Sequence, residues 1–502
     1  MTVTTSSPQY IETNKTQYET IIGLEVHVQL ATESKAFCAD AVQFGSDPNT
    51  HTSVISLAHP GTLPRANRRQ IEFATRLGVA LGCKISEKSF FDRKNYFYAD
   101  LPKGYQITQD RVPICVGGSL EISFIDPKTK QPTTKTIEIH HIHMEEDAGK
   151  SIHDQDPSVT FIDLNRAGTP LLEIVTQPDF RSGEEVDAFM TAMRHLVRWL
   201  GVSDGNMEEG SMRCDVNISI RPEGTTEFMT RCEVKNVNSM RFAREAIKYE
   251  AKRQQSIVEK GGDVQQNTLN FDPATGRTSP LRSKENAHDY RYFPDPDLPP
   301  VVITASFLEK IKAELPTLPW AARRELIEKY GLPAYDVNFL TEEIAVFNYA
   351  QTFLSAVAPP QYKAVSNLII NKILPSANEL KIELTDYPLT VNQLSEFLSL
   401  IESGKVSNSA AYQSLFPALL DTPSLSATLL AEKLNLSQTS DSGFLEKIVK
   451  EVLEKNPQKV AEYQKGKKGL LGFFMGEVMK ASKGKAEPKM TNALVLKALD
   501  NA

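Results

Sequence analysis

The chain has 502 residues, 40% of them hydrophobic and 24% charged, and a formal net charge of −7. That length is too great for one core and the composition is ordinary, so two to four soluble globular domains are expected. No stretch is long and apolar enough for a membrane span or a signal peptide. The five scattered cysteines, with no CxxC pair, argue against a disulfide scaffold, so a cytoplasmic protein is expected.

Residues 1–17, polar and rich in Thr and Ser, read as a disordered N-terminal extension. The first element follows at once. Ile22, Leu24, Val26, Val28 and Leu30 alternate with Gly23, Glu25, His27 and Gln29, the pattern of a half-buried strand. Glu25 and His27 then share the polar face, with Cβ atoms roughly 7 Å apart, and can converge on one cation or one proton. A helical pattern runs from about 68 to 81. The next segment, Phe90 to Ile107, interleaves Tyr and Phe with Lys94, Arg93 and Lys103, which suits either nucleotide stacking and phosphate binding or a plain aromatic turn.

Short strands around the turn Asp126-Pro127-Lys128 lead into His140-His141-Ile142-His143-Met144-Glu145-Glu146-Asp147, which holds three of the chain's nine histidines. Carboxylates beside imidazoles suit a divalent cation, with Mg²⁺ favoured as the carboxylate share rises. The alternation stumbles at His140-His141, so periodicity does not say which of these side chains joins Glu25 and His27. The stretch from Phe161 to Val175 is apolar, and an amphipathic helix is expected at about 183–200 on the stripe Val186, Phe189, Met190, Met193, Leu196 and Val197.

Arg213 to Arg221 and Arg231 to Lys235 alternate cleanly on either side of Pro222-Glu223-Gly224-Thr225 and read as a hairpin. A turn centred on Gly224 places Asp215 directly across from Glu233. Facing acids repel unless a cation lies between them, and a metal, Lys235 or a substrate amine can fill that place. A Gln-rich helix then runs to about 260. The proline-rich run Phe293 to Pro300 marks a domain boundary, and the rest reads as mostly helical.

The charge is unevenly spread. Residues 441–502 hold 12 Lys against 8 Asp and Glu, whereas the remainder carries 44 basic and 55 acidic residues. A basic tail on an acidic body points to a polyanionic partner, and the Gly-Lys pairs around Lys467, Lys468, Lys480, Lys483 and Lys485 suit a sugar-phosphate backbone. No P-loop, GxGxxG, GxSxG or HExxH motif is present, nor a cysteine in the context of a glutaminase nucleophile.

Several segments together resemble one family. They are Ile22-Gly23-Leu24-Glu25-Val26-His27, Asp92-Arg93-Lys94-Asn95-Tyr96-Phe97-Tyr98, His143 to Lys150, Asp163-Leu164-Asn165-Arg166, Glu208 to Asp215 and Asp289-Tyr290-Arg291-Tyr292-Phe293-Pro294. In that order they are similar to the B subunits of glutamyl/aspartyl-tRNA amidotransferases, the GatCAB complex. The resemblance implies an α+β protein: an antiparallel-sheet "cradle" with flanking helices over 18–300, an all-α domain over 301–430 and a tRNA-binding tail over 431–502. It implies a ligase that uses ATP and Mg²⁺ to phosphorylate the side-chain carboxylate of Glu or Asp misacylated on tRNA, then displaces phosphate with ammonia. The glutaminase A subunit would supply the ammonia, and a small C subunit would complete the heterotrimer.

By the same likeness Glu25, His27 and Glu146 are the expected Mg²⁺ ligands, Lys94 offsets phosphate charge and Tyr96 positions substrate. Asp215 and Glu233 are expected to hold ammonium and take its proton, because only neutral NH₃ attacks. A non-catalytic tRNA-binding scaffold is the alternative. Some family members carry a four-cysteine zinc site, of which only Cys38 remains here, so no structural zinc is expected.

Overall fold

The computed structural model describes residues 17–153, 155–156, 158–237, 239–283, 290–436, 442–482, 486 and 488–500. The N-terminal extension, Gln17 apart, lies outside them. The protein is a mixed α+β structure that divides into two compact units, Met1–Leu318 and Pro319–Ala502.

The first unit is built on a sheet of ten strands among the described residues. Its spatial order is Arg277–Ser283, Asn267–Asp272, Cys232–Val237, Met212–Pro222, Tyr18–Gln29, Pro170–Thr176, Pro132–Glu146, Cys115–Val116 and Lys84–Ile85, and Ser119–Ile125 also pairs with Pro132–Glu146. The opening strand Tyr18–Gln29 therefore lies at the centre, antiparallel to both neighbours. The sheet departs from the expected all-antiparallel form at one place. Cys232–Val237 runs parallel to Asn267–Asp272, because the 20-residue helix Met240–Glu259 carries the chain back over the sheet between them.

Alternation along the opening strand decides which side of this sheet is core. Leu24, Val26 and Val28 join Ile142, Met144, Leu172, Ile174, Val216 and Ile218 on one buried face. Against it packs Gly183–Trp199, whose Val186, Phe189, Met193 and Val197 form the expected stripe and whose Ser182 side chain accepts from the Glu185 amide as N-cap. Helices Arg68–Ala80 and Met240–Glu259 bury Leu77 and Ala246 in the same cluster. These helices cover one side only, which leaves the polar face to hold charged groups, largely buried, for chemistry.

A three-stranded sheet (Phe293–Pro294, Asp92–Asn95 and Tyr105–Thr108) carries the Lys94 segment. Nearby, Asp40 accepts from the Ser53 amide (2.9 Å) and from the Ser56 hydroxyl, while Cys38 Sγ lies 3.4 Å from Ser56 Oγ, so hydrogen bonds tie this loop.

The second unit is helical. Phe347, Phe353, Leu394, Phe397 and Leu415 are buried within it, and residues 445–499 hold a further cluster around Leu445, Phe474 and Val495. Two of its helices are interrupted by π turns, Ile369–Ile373 and Ala411–Leu415. In each the closing N–H reaches five residues back, from Leu374 to the Ile369 carbonyl and from Phe416 to the Ala411 carbonyl. Proline is the cause in both. Pro375 and Pro417 follow directly, have no N–H to donate, and push against the carbonyl four residues back. Among the described residues no helix is long and apolar enough to cross a membrane.

Candidate active site

Cross-strand register assembles the open face. His27 lies opposite Glu173 on one side and Arg213 on the other, and Glu25 lies opposite Val175 and Asp215. Glu173 in turn faces His143, and Leu171 faces Glu145. Residues that share a register on alternate positions point the same way, so His27, Glu173, His143 and Glu145 meet. His27 Nε2 is 3.2 Å from Glu173 Oε2 and 3.6 Å from Glu145 Oε1. His143 Nε2 is 3.5 Å from Glu173 and 3.7 Å from Glu145. The stumble at His140-His141 is a β-bulge, with His140 the extra residue between the pairs Val175–His141 and Thr176–Ile139. It lines up three imidazoles: His140 Nδ1 is 2.6 Å from His141 Nδ1, and His141 Nε2 is 3.1 Å from His143 Nδ1.

The electrostatics follow from this crowding. Burial alone would lower both site histidines, but the surrounding carboxylates outweigh it. His27 is held above its ordinary value by Glu173 and Glu145, and His143 is pushed up to about 10 by the same pair. Glu173 is buried, yet the two imidazoles hold its carboxyl well below the usual range.

A second acidic group lies beside the first. Glu25, Asp215 and Glu233 offer oxygens that all lie within 4.8 Å of one another. Lys235 Nζ bridges two of them, 2.6 Å from Asp215 Oδ2 and 2.7 Å from Glu233 Oε1, while Asn217 Nδ2 donates to Glu25 at 2.9 Å. The expected hairpin forms, but Glu233 pairs with Asn217, two residues away from the expected partner Asp215. The residues joining the two strands, 223–231, exceed a tight turn, so the pairing centres one residue later than Gly224. Burial and the charge of Glu173 raise the Glu25 carboxyl.

Glu146, expected beside Glu25 and His27, goes elsewhere. Following Glu145 on the strand, it turns to the other side, where it accepts from Lys103 Nζ and from the Ile107 amide (2.9 Å). It lines a cavity of about 30 Å³ with Phe37, Cys38 and Lys103. Asp147 is the better-neutralised acid. Arg213 donates to both its oxygens (2.9 and 3.2 Å) and Gln29 to one (2.9 Å). Although burial opposes it, Arg213 and Arg166 pull its carboxyl down to about 2.

Lys94 belongs to Asp92–Asn95, where alternation again divides the work. Arg93 pairs with Asp295 (2.7 Å) and Asp297 (2.8 Å), and Asn95 Nδ2 donates to the carbonyls of Tyr290 and Arg291, both at 3.0 Å. Lys94, between them, has its ammonium 5.0 Å from the centre of the Tyr290 ring and 6.0 Å from that of Tyr96. Burial would lower Lys94, but Glu145 leads a set of charges that raise it. Tyr96 donates to Gln106 (3.3 Å), and burial with the charges of Glu145, Glu146 and Asp147 raises its phenol. Beside Glu25 a cavity of about 200 Å³ is lined by Gly23, Thr176, Asn217, Ser219, Phe228 and Arg231, among others.

Lys467, Lys468 and Lys480 are exposed in the tail, with Lys467 paired to Glu462 at 3.0 Å and Lys468 lying 4.1 Å from the Tyr463 ring centre. Lys483 and Lys485 lie outside the described residues. Sequence reasoning did not single out Glu173, Arg213 or Asn217. The available signal for Glu173 was one acid at an alternate position of an otherwise apolar strand, Pro170–Thr176.

A family model described as the GatB/GatE catalytic domain matches residues 20–309, and one described as the GatB domain matches residues 351–499. The chain is 47% identical over 487 residues to the B subunit of an aspartyl/glutamyl-tRNA(Asn/Gln) amidotransferase of Herminiimonas arsenicoxydans, covering 96% of this chain and 99% of that one. Its namesake from Salinibacter ruber is 46% identical over 495 residues, 96% and 97% of the two chains. One from Thermodesulfovibrio yellowstonii is 45% identical over 483 residues, 96% and 99%.

Proposed function

The chain belongs to the GatB family of aspartyl/glutamyl-tRNA(Asn/Gln) amidotransferase B subunits, and on that premise we propose that its open sheet face carries out the amidation itself. The substrate is the side-chain carboxylate of Glu or Asp esterified to tRNA. A carboxylate is a poor electrophile because oxide would have to leave. Attack of its oxygen on the γ-phosphorus of ATP releases ADP and gives an acyl phosphate. Ammonia then adds to the carbonyl carbon, inorganic phosphate departs, and one proton is lost to leave the amide. A glutaminase A subunit is the proposed ammonia source and a small C subunit the third partner. Residues 18–300 are the proposed catalytic domain, 301–430 a helical domain and 431–502 a tRNA-binding tail.

The observation that carries this reading is the meeting of His27, Glu145 and Glu173 on one face beside Lys94. These three groups offer ligand atoms within 4.8 Å of one another, and the buried His27 Nδ1 has no hydrogen-bond partner among the described residues. Two carboxylates and an imidazole fit a divalent cation, so His27, Glu145 and Glu173 are the proposed Mg²⁺ holders in place of the set Glu25, His27 and Glu146. When bound, Mg²⁺ supplies charge neutralisation for phosphoryl transfer. Lys94, kept charged by the neighbouring acids, offsets the charge of the transferred phosphoryl group. The Tyr96 hydroxyl, kept protonated, positions the acceptor. Asp215 and Glu233 already hold one ammonium, that of Lys235, which supports a role for them in taking the proton from incoming ammonium. The cavity beside Glu25, with Phe228 for stacking and Asn217 and Ser219 for hydrogen bonds, is the proposed seat of the nucleoside.

The test is Glu173→Gln in the chain co-expressed with its A and C subunits. Tritiated misacylated tRNA and radiolabelled ATP are followed together. Tenfold or smaller loss of ATP turnover would overturn the catalytic reading and leave the scaffold reading. The expected result is a fall of about 10²–10³-fold with tRNA binding kept.

A further inference from the structure

The two π turns of the second unit bound the same groove. Ile369–Ile373 contributes Asn371 and Lys372 to one wall, and Ala411–Leu415 contributes Tyr412 to the other. The groove has a volume of about 540 Å³, within the ~300–1,000 Å³ span of sites that hold small molecules. Its polar lining is dominated by side-chain amides, those of Gln361, Asn367, Asn371 and Asn408. Glu402, the acid on the rim, already accepts from Gln361 at 2.7 Å. Lys372 is the lining cation, with its ammonium 5.7 Å from the centre of the Tyr412 ring. The edge-on contact of Tyr412 with Phe397, ring centres 5.3 Å apart, fixes the tyrosine in place.

Each π turn has a second consequence. Pro375 and Pro417 remove the helical donors that the Asn371 and Gln413 carbonyls would otherwise meet, so backbone acceptors near the groove are without their regular partner. Both turns bury hydrophobic residues on their inner side, Ile369 and Ile373 in one and Ala411 and Leu415 in the other, and present Asn371, Lys372 and Tyr412 to the groove, and such turns are frequent at functional sites. Amides read the edges of bases by paired donors and acceptors, a tyrosine stacks on a base face, and a lysine meets phosphate. Pro360, Ala364, Leu398 and Ile401 complete the lining, so the groove also offers apolar contact, and it is the four amides with Lys372 that favour a nucleotide over a purely apolar partner.

We propose that this groove seats one unstacked nucleotide of the tRNA, its base on Tyr412, its base edge against the amides and its phosphate at Lys372. The inference rests on the tRNA reading above and adds a second, base-specific contact in the helical half. Arrival of the base takes the ring face over which Lys372 lies, and the lysine turns to the phosphate.

The test measures tRNA binding by the intact heterotrimer, by filter retention at a series of salt concentrations. Tyr412→Ala and the pair Asn371→Ala with Asn408→Ala are expected to weaken binding about tenfold, and Tyr412→Phe to bind as wild type, since stacking needs no hydroxyl. Lys372→Ala should reduce the slope of log K against log salt by about 1. Asn371, Asn408 and Lys372 are surface positions, so their variants keep the test valid should Tyr412→Ala fail to fold. Unchanged constants and slopes in these variants overturn the inference alone. A wild type that binds no tRNA overturns the tRNA reading with it, and variants that keep tRNA but lose one of the other two chains make the groove a protein-docking surface instead.

Discussion

Asp147 shows how a buried acid on the open face is made tolerable. Two of its neighbours are guanidinium groups and a third is an amide, and the acid is 4% exposed. Its carboxyl is held at about 2 against an ordinary 3.8. A lowered carboxyl stabilises the fold above its unfolded value, and that contribution fades as pH falls through the folded one. Asp147→Asn leaves Arg213 facing a neutral amide and should cost about 3 kcal/mol at pH 7. The gap to wild type should narrow by roughly 1 kcal/mol by pH 3, where the wild type begins to lose its own share. Urea unfolding of both proteins at the two pH values checks this. His143 runs the other way: raised to about 10, it stabilises fully below its ordinary value of 6.5 and loses that contribution as pH rises through 10.

At the scale of elements, the strand Asp92–Asn95 is a clamp on one side and a functional arm on the other. Arg93 holds Asp295 and Asp297, and Asn95 holds the Tyr290 segment, where Arg291 sits in the left-handed region at φ 48°, a conformation a non-glycine residue needs help to keep. Asn95→Ala removes both side-chain bonds. Amide protection over residues 290–293 should fall by about 1–3 kcal/mol in hydrogen exchange while the central sheet is unaffected.

What was legible beforehand divides along the same line. The opening strand, the Gly183–Trp199 helix and the hairpin are local patterns, and each is written in the spacing of a few neighbouring residues. The site is not local. Glu173 joins His27 only because Pro170–Thr176 pairs with the opening strand, and no periodicity within either segment states that pairing. By the strand's own alternation Glu145, and not Glu146, shares parity with His143 and His141. The Asp215–Glu233 register is not fixed by local pattern, because the residues joining the strands exceed a two-residue turn and Gly224 does not mark their centre.

Across the whole molecule, two units with separate cores mean two sources of stability. The first gathers its core around the inner face of the sheet, including Phe189, and the second buries Phe397 among helices. Calorimetry should resolve two transitions. Phe397→Ala, by leaving a cavity in place of a fully buried ring, should weaken one of them by about 3–5 kcal/mol and leave the other in place, while Phe189→Ala should do the reverse. A single transition shifted by both variants would mean the units unfold together. The uneven charge of the chain fits the same division, with the lysine excess confined to the last segment of the helical unit.

The central strand makes one kind of mutation especially costly. From Leu24 to Gln29 its even positions pack in the core and its odd positions face the site, so deleting the codon for Leu24 would turn Glu25 and His27 toward the hydrocarbon side and Val26 and Val28 toward the site. A substitution there changes one contact at a time, whereas an indel shifts a whole run of them. Insertions are therefore absorbed most readily in the loops between strands, and one within that stretch would need a bulge such as the one that His140 makes in the same sheet.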